Sequence, residues 1–369
     1  MNSNQLYNKF IELVRLSVNG NAPVPARMTS DEWRGVFELA ARHAMLGICS
    51  KGIERLPAEE RPPADVSRKW VFSTLEIERR NRIMNKRCVQ LTRMLEKDGL
   101  PPCILKGQGA ALLYPEPLLR QSGDIDVWVK GGHRRLVRYV RSRFPETPAR
   151  YHHIDFPVFN DIPVEIHFMP SWMNNPSDNR KLQKWFRANE EAAFRNYVSL
   201  PEDAGAVIVP TAEFNIVYML IHIYHHLFDE GIGLRQLTDY YFLLDRHFHC
   251  IDQCGRKNIT DTLKSIGLLP FAGNLMYVLH EIFLLDRQKM ITEMSAEDSS
   301  QKLLRQILES GNFGCSNKSI DRTKGKSVAY FLTKFRYKAH FIREYPKETF
   351  WNIWFWIWQR VWRARHGYV

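Results

Sequence analysis

Two short stretches combine residue types and spacing that could do chemistry: Asp124-Ile125-Asp126 and Val164-Glu165-Ile166-His167. Each lies in an apolar run, Ile125 to Val129 and Ile162 to Phe168, that reads as a strand. Side chains alternate across a strand, so Asp124 and Asp126 project from one face while Ile125, Val127 and Val129 fill the other. By the same parity Glu165 and His167 oppose Val164, Ile166 and Phe168, and His167 is placed to orient Glu165. If the two strands are neighbours, three carboxylates meet. Like charges in water-poor surroundings stay ionised only around a cation, and hard divalent ions take oxygen ligands of this kind. Such a cluster suits two-metal phosphoryl or nucleotidyl transfer, one ion acidifying an attacking hydroxyl and the other neutralising the leaving pyrophosphate. An isolated Asp-x-Asp is commonly a solvated strand end. The pattern alone leaves both readings open.

The flanking elements must bring these runs together. Residues 1–98 read as helices: Leu6, Phe10, Leu13 and Val14 share one face, Ser30-Asp31-Glu32 opens a second helix, and Val66 to Lys97 is a long Pro-free one stopped by Gly99 and Pro101-Pro102. Residues 99–200 change character, with the strand Cys103-Ile104-Leu105, the Ile125 to Val129 run and a basic helix from His133 to Arg143. The runs Ile154 to Phe159 and Ile162 to Phe168 are separated by Asn160-Asp161 and predict a tight hairpin. Residues 201–320 return to helices at Ala212 to Phe228, Leu234 to Arg246 and Pro270 to Leu285, with a polar, loop-rich segment at 286–327. Residues 321–369 are basic and aromatic. The expected class is α+β: a small mixed β-sheet core flanked by N-terminal and C-terminal helical segments.

Composition bounds the partners. A chain of 369 residues that is 44% hydrophobic and 25% charged is globular, which excludes a disordered protein and a disulfide-stapled miniature. The net charge of +12 favours anionic partners. The cysteines are scattered and Met1 to Gly20 lacks a signal-peptide pattern, so reduced thiols in the cytoplasm are expected. No apolar run approaches the ~18 residues of a spanning helix. Gly107-Gln108-Gly109 is followed by Leu112 where a dinucleotide fingerprint needs glycine, and neither a P-loop nor a G-x-S-x-G elbow occurs. His222, His225 and His226 share a helix face and read mainly as buried, hydrogen-bonded histidines. Arg235 and Asp239 stand four apart and predict an intrahelical pair. From Arg322 onward eleven basic residues oppose Glu344 and Glu348, and Trp351, Trp354, Trp358 and Trp362 share a helical face widened by Phe355. That end reads as a packed terminal helix, an interfacial helix at the inner face of a membrane, or a surface for nucleic acid or a partner.

Taken together, Ile104-Leu105-Lys106-Gly107, Arg120-Gln121-Ser122-Gly123-Asp124-Ile125-Asp126-Val127 and Val164-Glu165-Ile166-His167 resemble the uncharacterised branch of the polymerase-beta-like nucleotidyltransferases. The resemblance extends to His222-Ile223-Tyr224-His225-His226 and to Leu234 through Asp239, covering roughly residues 30 to 290. It implies Mg²⁺ or Mn²⁺, as two ions, on Asp124, Asp126 and Glu165, with Glu165 helping to activate an acceptor hydroxyl. It implies that Gly107 admits the nucleotide phosphates to the backbone and that Gly109 loosens the same turn. Lys106 and Arg120 would hold the triphosphate, with Arg235 as a further phosphate ligand on a helical region that closes the nucleotide cleft. The branch has Lys-Gly where better-known members have Gly-Ser. The expected reaction moves a nucleoside monophosphate from an NTP to a protein, small-molecule or RNA acceptor and releases pyrophosphate. The alternative is a catalytically silent fold that binds or scaffolds at the inner membrane surface.

Overall fold

The computed structural model of the chain describes residues 3–229, 231–311 and 345–365; Cys315 and the basic residues between 322 and 343 lie outside them. The chain opens with α1 (Ser3–Val18), α2 (Ser30–Arg42), α3 (Leu46–Arg55) and α4 (Ala64–Lys97). Thr29 starts α2 through a capping box: its hydroxyl accepts from the Glu32 amide, and the Glu32 carboxylate accepts from the Thr29 amide at 2.8 Å.

The α+β core follows as β1 (Pro102–Leu105), α5 (Gly107–Ala111), β2 (Ile125–Val129), α6 (Gly132–Arg141), β3 (His153–Asp155) and β4 (Val164–His167). These strands form one mixed sheet in the order β1-β2-β4-β3, in which β2 and β4 run parallel and the other pairs antiparallel. The register sets Asp126 opposite Glu165 and Trp128 opposite His167. It also sets Asp155 opposite Glu165 and His153 opposite His167. One face is therefore apolar: Ile104, Val127, Val129, Ile154 and Ile166 pack against Met84, Cys88 and Leu95 of α4 and Leu136 and Val140 of α6. The polar residues are all on the other face. The hairpin expected around Asn160-Asp161 is present but shorter than its apolar runs, because Pro157 and Pro163 have no amide to give the ladder.

The rest is helical apart from one hairpin. After α7 (Pro176–Ala193) come β5 (Tyr197–Leu200) and β6 (Gly205–Ile208), then α8 (Ala212–Asp229), α9 (Leu234–His247), α10 (Gln253–Ser265), α11 (Leu269–Phe283), α12 (Glu297–Ser310) and α13 (Pro346–Arg365). The sequence reading did not anticipate α7 or the β5–β6 hairpin. It also took 286–327 as loop-rich, yet α12 forms there because Leu303 and Ile307, four residues apart, are buried on one face. Phe10, Leu13 and Trp33 from the first helices share a core with Leu220 of α8 and Leu279 of α11. Among the described residues no single helix is long and apolar enough to cross a membrane.

Arg120 requires a correction. It is not available to a triphosphate: it is 2% exposed and its guanidinium is filled, Nε donating to Asp239 Oδ1 and Nη2 to Asp239 Oδ2, both at 2.7 Å. Nη1 donates to Ser122 Oγ at 3.1 Å, and the Tyr114 hydroxyl donates to Asp239 Oδ1 at 2.6 Å. Asp239 is therefore not the helical partner of Arg235. The Arg120–Asp239 pair instead bolts α9 to the segment leading into β2. Asp239→Ala strands a buried guanidinium and is expected to cost about 3–5 kcal/mol in urea denaturation. Joint replacement by Arg120→Met and Asp239→Leu should recover part of that loss, since no lone charge is left; strictly additive losses would show the pair to be uncoupled.

Candidate active site

The polar sheet face is roofed by α8 and α9. Asp126 is 2% exposed, and its carboxylate accepts from two cationic groups: Lys106 Nζ lies 2.9 Å from Oδ2 and His167 Nε2 lies 2.8 Å from Oδ1. Glu165, half-buried, places Oε2 at 3.4 Å from His167 Nε2 and at 3.4 Å from His153 Nδ1. Ligand atoms of Asp126, Glu165 and His167 lie within 4.8 Å of one another. Asp124 sits one residue before β2 and is also half-buried.

The charges are interdependent. Burial disfavours ionised Asp126, but the Lys106 ammonium and the His167 N–H outweigh it and hold the carboxyl well below its usual range. Asp124 goes the other way, raised by the charge of Asp126 and by burial, although Lys106 and Arg235 pull it down. Burial likewise works against Glu165, whose carboxyl is nevertheless lowered by its hydrogen bond to His167. Burial opposes protonation of His167 as well, yet the Asp126 and Glu165 carboxylates lift it to about 9. His153 shares Glu165 at 3.4 Å but lacks the Asp126 hydrogen bond, and burial and the neighbouring His167 push it down to about 3.

Lys106 has φ +40° and ψ −133°, a conformation that costs a residue with a Cβ roughly 1–3 kcal/mol. That turn swings its ammonium onto Asp126, where the sequence reading had expected it on the triphosphate. Gly107 follows at φ +48°, so any residue with a Cβ would be strained there whatever it contacts. Gly109 requires a second correction. It lies inside α5 with no positive φ, and a Cβ there would stand 2.9 Å from Val209 Cγ1. Its smallness lets α5 approach Val209; it does not loosen the turn.

Arg235 is half-buried on α9 and feels the charge of Asp124. Among the described residues it forms no ion pair within 4.0 Å, and its buried Nε lacks a hydrogen-bond partner. Burial and the neighbouring Arg120 disfavour its positive charge. The structure thus separates the two arginines, one saturated in the core and one unpaired at the cleft. Tyr218 and His222 of α8 complete the roof, Tyr218 sensing Asp126, Asp124 and Glu165 and His222 sensing Lys106 and Arg235. His225 instead donates from Nε2 to the Trp172 carbonyl at 2.6 Å and stacks on that indole. Sequence reasoning did not single out His152 and His153, which the hairpin brings to the same face. Their signal was the His-His pair directly before an alternating run, since His153 Nδ1 and His152 Nε2 meet at 2.7 Å.

The donor set fits a divalent cation because carboxylate oxygens of Asp126 and Glu165 converge from adjacent strands; an ion there would take the place of the Lys106 and His167 contacts to Asp126. Because His167 is raised in the fold from its ordinary value near 6.5, its ion pairs contribute stability that is complete below about pH 6.5 and is lost as pH rises through about 9. In metal-free buffer, the stability difference between wild type and His167→Gln should therefore shrink steadily over that window. A constant difference would show that the ring is not charged in the fold.

A search of curated proteins returns no match. Among solved structures the chain is similar to an antigenic nucleotidyltransferase-like protein from Paracoccidioides brasiliensis, at 12% identity and a TM-score of 0.30, over 50% of this chain and 92% of that one. A likeness that low is noted without weight. The family described as uncharacterised nucleotidyltransferase matches residues 29–284, a span that takes in the sheet, Asp124, Asp126, Glu165 and the α8–α9 roof, and the chain belongs to that family.

Proposed function

We propose that this chain transfers a nucleoside monophosphate from an NTP to an acceptor hydroxyl, releasing pyrophosphate. The observation that carries the reading is the in-register approach of Asp126 and Glu165, with the unpaired Arg235 close enough to Asp124 to feel its charge. Asp124, Asp126 and Glu165 would hold Mg²⁺ or Mn²⁺. When bound, such ions acidify a hydroxyl and neutralise phosphate charge.

The chain's own residues supply the rest. Arg235 receives the triphosphate, since a half-buried guanidinium lacking an anion gains most from one. The acceptor oxygen attacks the α-phosphorus and the bond from that phosphorus to the pyrophosphate oxygen breaks. Glu165 Oε2 takes the proton lost by the acceptor, and Arg235 stabilises the charge growing on the pyrophosphate. Lys106 holds Asp126 ionised until substrate enters. Tyr218, 1% exposed, helps to keep water from the reacting groups. Calorimetry should detect NTP binding that depends on Mg²⁺ in wild type and is lost in the Asp124→Asn, Asp126→Asn double variant. Arg235→Met should lower transfer by about 10²–10³-fold in a labelled-nucleotide assay. Equal binding by wild type and double variant would refute the reading.

A second reading, peripheral contact with an anionic membrane, is favoured by α13. One side packs on Tyr151: Phe355, Trp358 and Trp362 set their rings 5.4, 5.4 and 6.1 Å from it, with Trp358 still 39% exposed. Lys347 pairs with Asp178 at 2.7 Å. Phe350, Trp354, Ile357 and Val361 are exposed at i, i+4, i+7 and i+11, an outward apolar stripe, and Arg360 lies over the Trp356 ring at 3.9 Å. Trp and Arg together suit the headgroup layer. Wild type should co-sediment with vesicles containing phosphatidylserine, and the double variant Trp354→Ser, Ile357→Ser should remain in the supernatant; equal pelleting would remove the contact.

A further inference from the structure

We infer that the outer face of α4, from Arg68 to Arg80, is a docking surface for an acidic amphipathic helix of a partner protein. The rotation of α4 is fixed from within. Trp70 and Ile77 turn into the large helical core, the Trp70 Nε1–H donates to the Leu46 carbonyl at 2.8 Å, and Asn81 Nδ2 donates to the carbonyls of Leu118 and Arg120. Val71, Phe72 and Leu75 are thereby turned outward, 60%, 67% and 58% exposed, where the solvent side of a helix ordinarily carries polar residues. Val71 and Leu75 stand one turn apart with Phe72 beside them, so the three form one apolar ridge, unlike surface apolar residues scattered singly.

Charge identifies the occupant. From Arg68 to Lys86 six basic residues stand against Glu76 and Glu78. Arg79 and Arg82 are met by Glu76, Glu78 and Glu202. Arg68, Lys69 and Arg80 are exposed and form no ion pair within 4.0 Å among the described residues. Arg80 Nη2 donates to the Gly123 carbonyl at 2.9 Å, which fixes the side chain and leaves its charge uncompensated. The free cations thus bracket the apolar ridge, Arg68 and Lys69 before it and Arg80 after it. From Arg68 to Arg80 the helix rises about 18 Å, the length of a partner helix of about 12 residues. The ridge of one helix packs into the groove of another, and acids flanking the partner's apolar anchors would meet Arg68, Lys69 and Arg80. A second copy of α4 would set these cations against their own kind in either direction. An anionic lipid surface would bring its phosphates against Glu76, which is exposed beside the ridge. The face ends at Gly123, the residue before Asp124, so the partner lies beside the segment that enters β2.

The test uses the full chain and a fluorescein-labelled peptide of about 16 residues, long enough to hold a helix, with Leu and Phe at i, i+3, i+4 and i+7 and Glu on either side. Fluorescence anisotropy compares it with a shuffled peptide of the same composition and with one carrying Lys for Glu. The striped acidic peptide should bind, and both controls should bind at least about tenfold more weakly. The double variant Phe72→Gln, Leu75→Gln should lose roughly 10–100-fold, the loss of an apolar side chain from a buried contact. Arg68→Glu with Lys69→Glu should weaken binding and flatten its dependence on salt. Thermal melting checks that each variant folds; the substituted side chains are exposed, so melting should match wild type. Equal affinity for the striped and shuffled peptides, or an undiminished affinity in the Gln variant, would overturn the docking face. Loss of vesicle pelleting in the Gln variant would give the face to lipid, and self-association abolished by it would give the face to a second copy; either result overturns the inference. The contact needs neither metal nor nucleotide, so peptide binding in the absence of NTP binding would count against the transfer reaction alone.

Discussion

Two acids placed directly opposite one another on parallel strands define the electrostatic problem of this molecule. Asp126 and Glu165 face each other in the β2–β4 register, on the sheet face turned away from α4. The register cannot slip by one residue to relieve them, because that slip would also expose Val127 and Ile166 and bury their polar neighbours in the apolar core. The charges must therefore be met where they stand. Lys106 and His167 meet them, and the positive φ of Lys106 is the local strain accepted to bring its ammonium there.

Positive charge around this face is divided by burial and by partner. Arg120 faces the same helix as Arg235, yet the first is closed by Asp239, Tyr114 and Ser122 while the second has no counter-ion among the described residues. A guanidinium with all three nitrogens bonded stabilises the frame, and an unpaired one beside Asp124 provides a place for an anion. The distinction is not one of residue type or spacing.

That distinction also marks where reading the chain by eye stops. Parity along Ile125 to Val129 and along Val164 to His167 was enough to place Asp126, Glu165 and His167 on one face, and the α+β class followed from the strand–helix order. Lys106 was singled out for its charge next to Gly107, but its target depends on a backbone angle that sequence does not display. Arg235 and Asp239 had the spacing of a helical pair, and a buried arginine far away in sequence took the acid instead. Gly109 looked like part of a flexible turn and proved to be a packing contact with Val209, a residue one hundred positions later. The β5–β6 hairpin was missed because each strand is only four residues long, although Val198 and Leu200 turn inward and Tyr197 outward as a strand requires.

Helix α4 runs 34 residues without Gly or Pro, about 51 Å. Val66 and Trp70 near its start belong to the large helical core, and Met84, Cys88, Leu91 and Leu95 near its end belong to the core under the sheet. One uninterrupted rod through both cores leaves no soft joint between them. Melting of either core strips half of the same rod, which ties the two halves into a single cooperative transition.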